Sequence, residues 1–364
     1  MKFTIVRSRF LEALKPVQNI IAAKGSLPVL QNVLIKAFDN EIRLTTTDLD
    51  ISIRSTVACE VIEKGQTTLP VKLLVNSVTK AAECNLEIEI DESDRATIVA
   101  GSSKFKIAGI ISSDFPKLPE EENNYSYSLP QQVLREMFRK TSYAAAQDDT
   151  RRMLKGVFMS FKNNKLTMVA TDGRRLALVE NEIEFPKEYE KDIVLPSKTV
   201  QELQRLLSGE DNIEITVNVS QISFKFGQVI IYSKLLEENY PNYEQVIPKE
   251  SGQHITIDRQ MLFDAVERAN VMTMDEAHST RLVFEENRLT VYSGASEKGE
   301  AKDEVAIKYG GEKIEIVFNP SYITDSLKAI DDDEITIDLK DGQHPAIIRC
   351  SIPYLYVIMP LRIN

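Results

Sequence analysis

The sequence predicts an α+β protein of three repeated domains, each with two helices packed on antiparallel sheet. Three observations predict it. One order of helix, hairpin and helix patterns recurs three times along the 364 residues. Markers within that order keep their spacing: Asp48 and Asp172 are 124 residues apart, and Pro70, Pro196 and Pro320 are 126 and 124 apart. The composition, 43% hydrophobic and 27% charged, is ordinary for a globular chain, and the length suits two or three domains at ~100–200 residues each.

Each repeat opens on a helical pattern: "RSRFLEALKPVQNII", "LPQQVLREMFRKTSYAA" and "DRQMLFDAVERANVM". Apolar residues return there every three or four positions, as one buried helix face requires. Pro16 is placed to bend the first copy. A strand-turn-strand pattern follows: "NVLIKAFDNEIRLTTTD", "GVFMSFKNNKLTMVATD" and "RLVFEENRLTVYSG". A short polar turn between two β-rich runs signals a hairpin. An apolar run then leads through proline into a second helix: "TTLPVKLLVNSVTKAA", "IVLPSKTVQELQRLL" and "IVFNPSYITDSLKAI". Proline suits a first helical turn, and Ser197 and Asn319 stand where caps belong. Each repeat then carries a strand, "NLEIEI", "NIEITV" or "EITIDL". The predicted helices span 7–24, 72–83, 131–140, 197–208, 258–271 and 320–330. The predicted domains are 1–122, 123–250 and 251–364, with "PEEENNYS" (119–126) and "PKESGQ" (248–253) as polar linkers.

Several function classes lose support. The amino-terminal stretch has no apolar core of signal-peptide length, and no run approaches the ~18 apolar residues of a membrane span. Cys59, Cys84 and Cys350 are odd in number and far apart, which suits a reducing compartment and a cytoplasmic location. His254, His278 and His344 share no metal-ligand spacing, so no metal is expected. No phosphate-binding glycine loop and no nucleophile elbow occurs. "DLD" (48–50) reads as alternate acids on one strand face, "DDDE" (331–334) as a solvated turn and "YGGEK" (309–313) as a hairpin turn. No cofactor site and no catalytic residue is indicated.

"ATDGRRLAL" (170–178) poses the sharpest question, an acid beside two arginines. Its first-repeat counterpart is "TTTDLDISI" (45–53). Asp48 and Asp172 then share one slot, which favours a backbone role at a strand end, with Gly173 supplying a positive φ. Arg174 and Arg175 stand in place of Leu49 and Asp50, so they belong to the second repeat alone.

The net charge of −11 argues against nonspecific nucleic-acid binding if taken as a sum. Its distribution argues otherwise. The six predicted helices hold fourteen Lys/Arg and eight Asp/Glu, a balance of +6, and the remainder carries −17. The helix cations include Arg7, Arg9, Lys15, Lys24, Lys72, Lys80, Arg135, Arg139, Lys140, Lys198, Arg205 and Arg259. Exposed helix faces favour Lys and Arg in any protein, and a surface turned toward phosphates requires them. No aromatic platform interleaves with them, so contact with nucleic acid should ignore sequence.

The motifs "SLPVLQNVLI" (26–35), "TTTDLDISI" (45–53), "ATDGRRLA" (170–177), "YPNYEQVIP" (240–248), "NPSYITDSL" (319–327) and "YVIMPLR" (356–362) together resemble the beta subunit of bacterial DNA polymerase III, the sliding-clamp family, over the whole chain. The resemblance implies a non-enzymatic processivity factor: a head-to-tail homodimer closed as a ring around double-stranded DNA, helices inside and sheets outside. Helices packed side by side sit roughly 10 Å apart. Twelve enclose a hole of nearly 30 Å, wide enough for B-form DNA, whereas six leave only about 10 Å.

The resemblance also implies a dimer interface in which the basic strand "GSSKFKIAG" (101–109) meets the acidic strand "SEKGEAKDE" (296–304). Lys104, Phe105 and Lys106 would lie on one side, and Val271, Met272, Glu297, Glu300 and Glu304 on the other. It further implies an apolar cleft for peptide tails of the polymerase catalytic subunit, the clamp loader, other polymerases and repair proteins. The cleft is lined by Leu154, Thr171, Gly173, Arg174, Arg175, Leu176, Pro241, Val246, Val357, Ile358, Met359, Pro360 and Leu361, with the arginines and Leu176 facing the guest. Two positions depart from the family pattern: Arg174 stands where histidine is frequent and Gln245 where arginine is common. Two rival readings remain at this stage: a nucleotide-processing enzyme using Asp48, Asp50 and Asp172, and a monomeric repeat scaffold that binds proteins only.

Overall fold

The computed structural model describes residues 1–21, 27–117, 125–237, 239–249, 252–272, 279–296, 299–351 and 353–362. The first repeat runs β1 (Lys2–Val6), α1 (Arg7–Val17), β2 (Asn32–Phe38), β3 (Glu41–Thr47), β4 (Ile51–Ala58), β5 (Glu60–Glu63), β6 (Gly65–Pro70), α2 (Val71–Lys80), β7 (Asn85–Ile90), β8 (Arg95–Ala100) and β9 (Ser103–Ala108). The second runs β10 (Tyr125–Pro130), α3 (Gln131–Thr141), β11 (Gly156–Lys162), β12 (Lys165–Thr171), β13 (Arg175–Glu182), β14 (Lys191–Pro196), α4 (Ser197–Leu206), β15 (Asn212–Val217), β16 (Gln221–Phe226) and β17 (Val229–Lys234). The third runs β18 (Gln253–Asp258), α5 (Arg259–Asn270), β19 (Thr280–Glu285), β20 (Arg288–Ser296), β21 (Gly299–Ala306), β22 (Ile314–Phe318), α6 (Pro320–Ala329), β23 (Glu334–Leu339), β24 (Ala346–Arg349) and β25 (Tyr354–Ile358).

The threefold order is therefore real, with a strand before each first helix that the sequence patterns left out. That strand pairs with the strand after the second helix: β1 with β7, β10 with β15 and β18 with β23. Each repeat consequently feeds two sheets, where one sheet per repeat was expected. The sheets run β5-β1-β7-β8-β9, β10-β15-β16-β17-β4-β3-β2-β6, β14-β11-β12-β13-β25-β24-β23-β18 and β21-β20-β19-β22.

The chain forms two compact units, residues 1–131 with 206–235, and residues 132–205 with 236–364. Each contains one eight-stranded sheet in which two repeats meet at a seam. In the first unit β17 joins β4, pairing Ser233 with Ile51 and Tyr232 with Ser52. In the second, β25 joins β13, pairing Ile358 with Arg175 and Val357 with Leu176. Each sheet buries an alternating apolar face. Phe3, Phe10, Leu14, Ile35 and Ile42 are wholly buried in the first unit, and Phe138, Phe161, Phe284 and Tyr356 in the second.

Local chemistry explains the ends of several elements. Helix α1 ends at Val17, short of the expected residue 24; Pro16 lies inside it and removes one N–H from its ladder, while the Gln18 amide still donates to the Leu14 carbonyl at 3.1 Å. Asn319 caps α6 by accepting from the Ser321 amide. Asp258 caps α5 in the same way, through the Met261 amide. Ser197 is no cap: it is the first residue of α4, and its hydroxyl donates to the Lys155 carbonyl. Pro70 and Pro196 end strands, whereas Pro320 is the first residue of α6, so the three prolines do not share one slot. Pairing of Leu69 with Val33, Leu195 with Val157 and Phe318 with Thr280 sets the true register.

Two turn assignments change. "YGGEK" is not a hairpin turn, since β21 and β22 lie at opposite edges of their sheet and the segment crosses between them. "DDDE" does more than meet solvent. Asp331 pairs with Arg139, Asp332 accepts from the Ser351 amide and, through its carbonyl, from Arg259, and the Asp333 carbonyl accepts from the Arg259 amide.

Candidate functional site

The segment after β12 settles the role of the aspartates. Asp172 Oδ1 accepts from the Arg174 and Arg175 amides at 2.9 and 3.0 Å, and the Thr171 hydroxyl bridges the Gly173 amide and the Arg175 carbonyl. Asp48 does the same after β3, accepting from Asp50 and Ile51 at 3.0 and 2.8 Å, with the Thr47 hydroxyl bridging Leu49 and Ile51. Gly173 and Leu49 both sit at φ +82°. One oxygen of each carboxylate thus holds the turn through two backbone amides, which is a backbone role. Asp50 pairs with Lys234, 3.2 Å away. Among the described residues no group of three or more His, Cys, Asp and Glu is placed to hold a metal ion.

The matched turns correct the alignment of the arginines. Leu49 is the counterpart of Gly173, so Arg174 replaces Asp50 and Arg175 replaces Ile51. The seam registers agree, since Ile51 and Arg175 pair with Ser233 and Ile358.

Around Arg175 lies a half-buried polar cluster of the second unit. Its side chain is 9% exposed. Nε donates to Asp172 at 3.1 Å, Nη1 to Asp325 of α6 at 2.7 Å and Nη2 to the Tyr143 carbonyl at 2.8 Å. The guanidinium also lies 4.5 Å from the centroid of the Tyr322 ring and 5.6 Å from that of Tyr143. Burial opposes its charge, but Tyr356, Asp325 and Asp172 outweigh burial and raise its pKa above the ordinary arginine range. Arg175 thus holds the wall of the site together and does not present its donors to a guest. Arg174 is exposed, and a hydrogen bond to Tyr322 raises its pKa.

The floor beside this wall is apolar. Val169, Leu176 and Val357 are buried together, with Phe158, Leu178, Tyr240, Tyr243, Ile247 and Leu355 packed against them. Phe158 stacks on Tyr240 at 5.1 Å and meets Tyr243 at 5.7 Å. Leu154 and Thr171 are nearly buried, Gly173, Pro241, Val246 and Met359 are exposed, and Pro360 and Leu361 are half-buried. Ile358 is buried in β25. Beyond it, the Met359 amide bonds the Arg174 carbonyl at 2.9 Å and the Leu361 amide bonds Val317 at 2.8 Å. All of the predicted lining residues belong to the second unit, where Leu176 and Val357 pack together. The sequence reading missed its aromatic and acidic supports: Phe158, Tyr240, Tyr243, Tyr143, Tyr322 and Asp325. The paired tyrosines of "YPNY" (240–243) were the available signal for two of them.

The helix cations divide. The observed helices hold thirteen Lys/Arg and six Asp/Glu, a balance of +7. Arg7 is tied to the end of α2, donating to the Val78 and Thr79 carbonyls and to Glu83. Arg139 engages Glu136 and Asp331, Lys140 lies 3.9 Å from Glu136, and Arg205 engages Glu202. Arg259 bonds the Leu327 and Asp332 carbonyls, as Arg7 does in the first repeat. Arg9, Lys15, Lys72, Lys80, Arg135 and Lys198 have exposed side chains. Lys24 lies outside the described residues.

Two sheet edges complete the picture. Strand β9, with Lys104, Phe105 and Lys106, is the last strand of its sheet, and β21, with Glu300 and Glu304, is the last of another. Val271 and Met272, just after α5, are 61% and 42% exposed. Glu297 lies outside the described residues. By position in the repeat, β9 matches β17 and β25, and β21 matches β4 and β13. The pairing made twice within the chain is thus left unmade once.

Comparison with known proteins gives one consistent answer. Three family models match, the DNA polymerase III beta subunit N-terminal domain over residues 1–119, its central domain over 128–242 and its C-terminal domain over 244–362. Beta sliding clamps of Chlamydia muridarum and Pseudomonas aeruginosa are 32% and 31% identical, each alignment covering 100% of both chains. Among solved structures, the sliding clamp of Pseudomonas aeruginosa with ligand superposes with a TM-score of 0.95 at 30% identity. The Bartonella birtlesii clamp bound to griselimycin gives 0.96 at 30%. Both comparisons cover 100% of each chain.

Proposed function

Because the chain belongs to the DNA polymerase III beta subunit family of sliding clamps, it is a non-enzymatic processivity factor, and we propose that it works through three surfaces of its own. It encircles duplex DNA as a homodimer and tethers the replicative polymerase and other DNA-processing proteins. The observation that carries the assignment of surfaces is the unmade seam. A chain that joins β17 to β4 and β25 to β13 in one register, and leaves β9 and β21 at sheet edges, is built to pair β9 with β21 of a second copy. Two such contacts close a head-to-tail dimer. Lys104 and Lys106 face Glu300 and Glu304 there, and Phe105 meets Val271 and Met272.

The floor of Leu176 and Val357, walled by Arg175, receives a guest peptide with an apolar anchor. Thr171, Gly173, Arg174 and Met359 form its rim, with Leu154, Pro241, Val246, Ile358, Pro360 and Leu361 around it. Arg9, Lys15, Lys72, Lys80, Arg135 and Lys198 face phosphates, whereas Arg7 acts first on the end of α2, Arg139 on Glu136 and Asp331, and Lys140 and Arg205 on acids of their own helices. Domains at 1–122, 123–250 and 251–364 are supported by the three matched spans. A cytoplasmic location is supported by Cys59, Cys84 and Cys350 forming no disulfide. Among the described residues no helix is long and apolar enough to cross a membrane.

The test is topological. Clamp loaded on closed circular duplex should survive a high-salt wash that strips phosphate contacts, and should leave once the circle is cut. Equal loss from both substrates would refute encirclement.

A further inference from the structure

The first seam carries a cavity of about 250 Å³ in the same place, relative to the repeat, as the peptide cleft of the second seam. Thr47, Leu49 and Ser52 line it where Thr171, Gly173 and Leu176 line the cleft, and Tyr232 and Lys234 stand where Val357 and Met359 do. The correspondence reaches the backbone. The Lys234 amide donates to the Asp50 carbonyl at 2.9 Å, as the Met359 amide donates to Arg174. Pro116 follows buried Phe115 as Pro241 follows Tyr240.

The chemistry is different. The apolar floor pair Leu176–Val357 becomes Ser52–Tyr232. The Tyr232 hydroxyl accepts from Arg54 at 3.2 Å. Among the described lining residues the mouth carries Lys117 and Lys234, both exposed, and one acid, Asp50, which pairs with Lys234 at 3.2 Å and leaves the mouth a net positive charge.

A second observation marks the pocket independently. Six described non-glycine residues have positive φ; five are Asp or Asn. The sixth is Leu49, at +82° and 48% exposed. A bulky apolar side chain in that conformation is a backbone outlier, and such outliers gather at binding sites. It is turned into a pocket wall with Pro116 at a position where the sister turn uses glycine.

We propose that this pocket is a second peptide site, which takes a short acidic segment: an aliphatic side chain against Leu49, Pro116 and Tyr232, flanked by carboxylates on Lys117 and Lys234. The volume lies just under the ~300 Å³ at which pockets for drug-sized ligands begin, which fits one side chain and its neighbours. The inference rests on the clamp reading only in taking the occupant to be a partner peptide.

The experiment uses the full-length dimer and two tripeptides, acetyl-Glu-Leu-Glu-amide and acetyl-Gln-Leu-Gln-amide, followed by saturation-transfer NMR at millimolar concentration. A longer peptide with adjacent Leu and Phe side chains serves as the cleft probe. The acidic tripeptide should bind, the neutral one about fivefold more weakly, and K117E/K234E should weaken the acidic one about tenfold. The cleft probe should bind wild type and K117E/K234E alike, which also shows that the variant is folded. Absence of acidic binding, binding indifferent to the charge reversal, or displacement of the tripeptide by the cleft probe would overturn the second site. Failure of the cleft probe on wild type would instead count against the cleft assignment.

Discussion

Replacing Arg175 by alanine tests the wall of the peptide cleft. The side chain, 9% exposed, joins Asp172 and the Tyr143 carbonyl to Asp325 of α6. Removing one partner of a buried ion pair costs about 3–5 kcal/mol. Here the abandoned carboxylates are 18% and 34% exposed, so returning water lowers that part to about 2 kcal/mol. The Tyr143 carbonyl, deprived of its charged donor, adds about 1 kcal/mol. The sum is about 3 kcal/mol. In a unit of roughly 200 residues, that lowers the melting temperature by roughly 6–12 °C. Calorimetry of the full chain should show the loss, and a cycle with Asp325→Asn should show a coupling of about 1–2 kcal/mol. Arg175→Lys should recover only part, since one ammonium cannot serve three acceptors spread over a planar fork. Affinity for the Leu-Phe peptide should fall while sedimentation still reports a dimer, because neither Arg175 nor any of its hydrogen-bond partners lies on β9 or β21. A melting shift under about 2 °C, or a lysine variant equal to wild type, would refute the reasoning.

Gly173→Ala should destabilise by about 1–2 kcal/mol, because φ is +82°, while the flexible Arg151 guanidinium can swing away from the new Cβ; chemical denaturation measures it, and an unchanged midpoint would contradict the turn geometry. Lys104→Glu with Lys106→Glu should raise the dimer dissociation constant about tenfold at low salt and less at high salt; equilibrium sedimentation reads this, and salt-independent loss would point to misfolding of β9. The Cys59 thiol is pushed up to about 11, first by burial and then by Glu41. Its raised pKa contributes stability that is full below the ordinary value near 9 and is lost as pH rises through about 11. Alkylation of Cys59 near neutral pH should therefore be at least about tenfold slower than for an unperturbed cysteine, and equal rates would remove the assignment.

The threefold order was legible because local chemistry writes it. The two-residue hairpin turns place Asp39, Asn163 and Asn287 at φ between 50° and 55°, conformations that Asn and Asp tolerate and most residues avoid. Helix patterns were equally local, although the first was expected to bend at Pro16 and continue to residue 24, whereas α1 ends at Val17. The joining of sheets across repeats was not legible. It sets Arg54 opposite Ile230 and Ala177 opposite Tyr356, far apart in sequence. Two strands that alternate carry no mark of which other strand they will meet. The arginines were set one place out of register although matching Asp48 with Asp172 already puts Leu49 against Gly173, Asp50 against Arg174 and Ile51 against Arg175. The shared φ at Leu49 and Gly173 agrees with that alignment.

That displacement bears on how one backbone came to serve different ends. At the corrected position the first repeat has Ile51, 2% exposed, and the second has Arg175. An isoleucine there needs only apolar cover. A guanidinium needs acceptors for its donors, and the second unit provides Asp172, Asp325, the Tyr143 carbonyl and two aromatic faces. Those supports come from three elements, α6 among them, so the substitution could persist only where a neighbouring repeat brought a matching helix. The paired strands and the Asp-centred turn are indifferent to that choice, since their hydrogen bonds run through the backbone at both seams. Binding chemistry is thus set by side chains on a frame that does not depend on them, which lets one seam have an apolar floor and the other a polar one without any change of register.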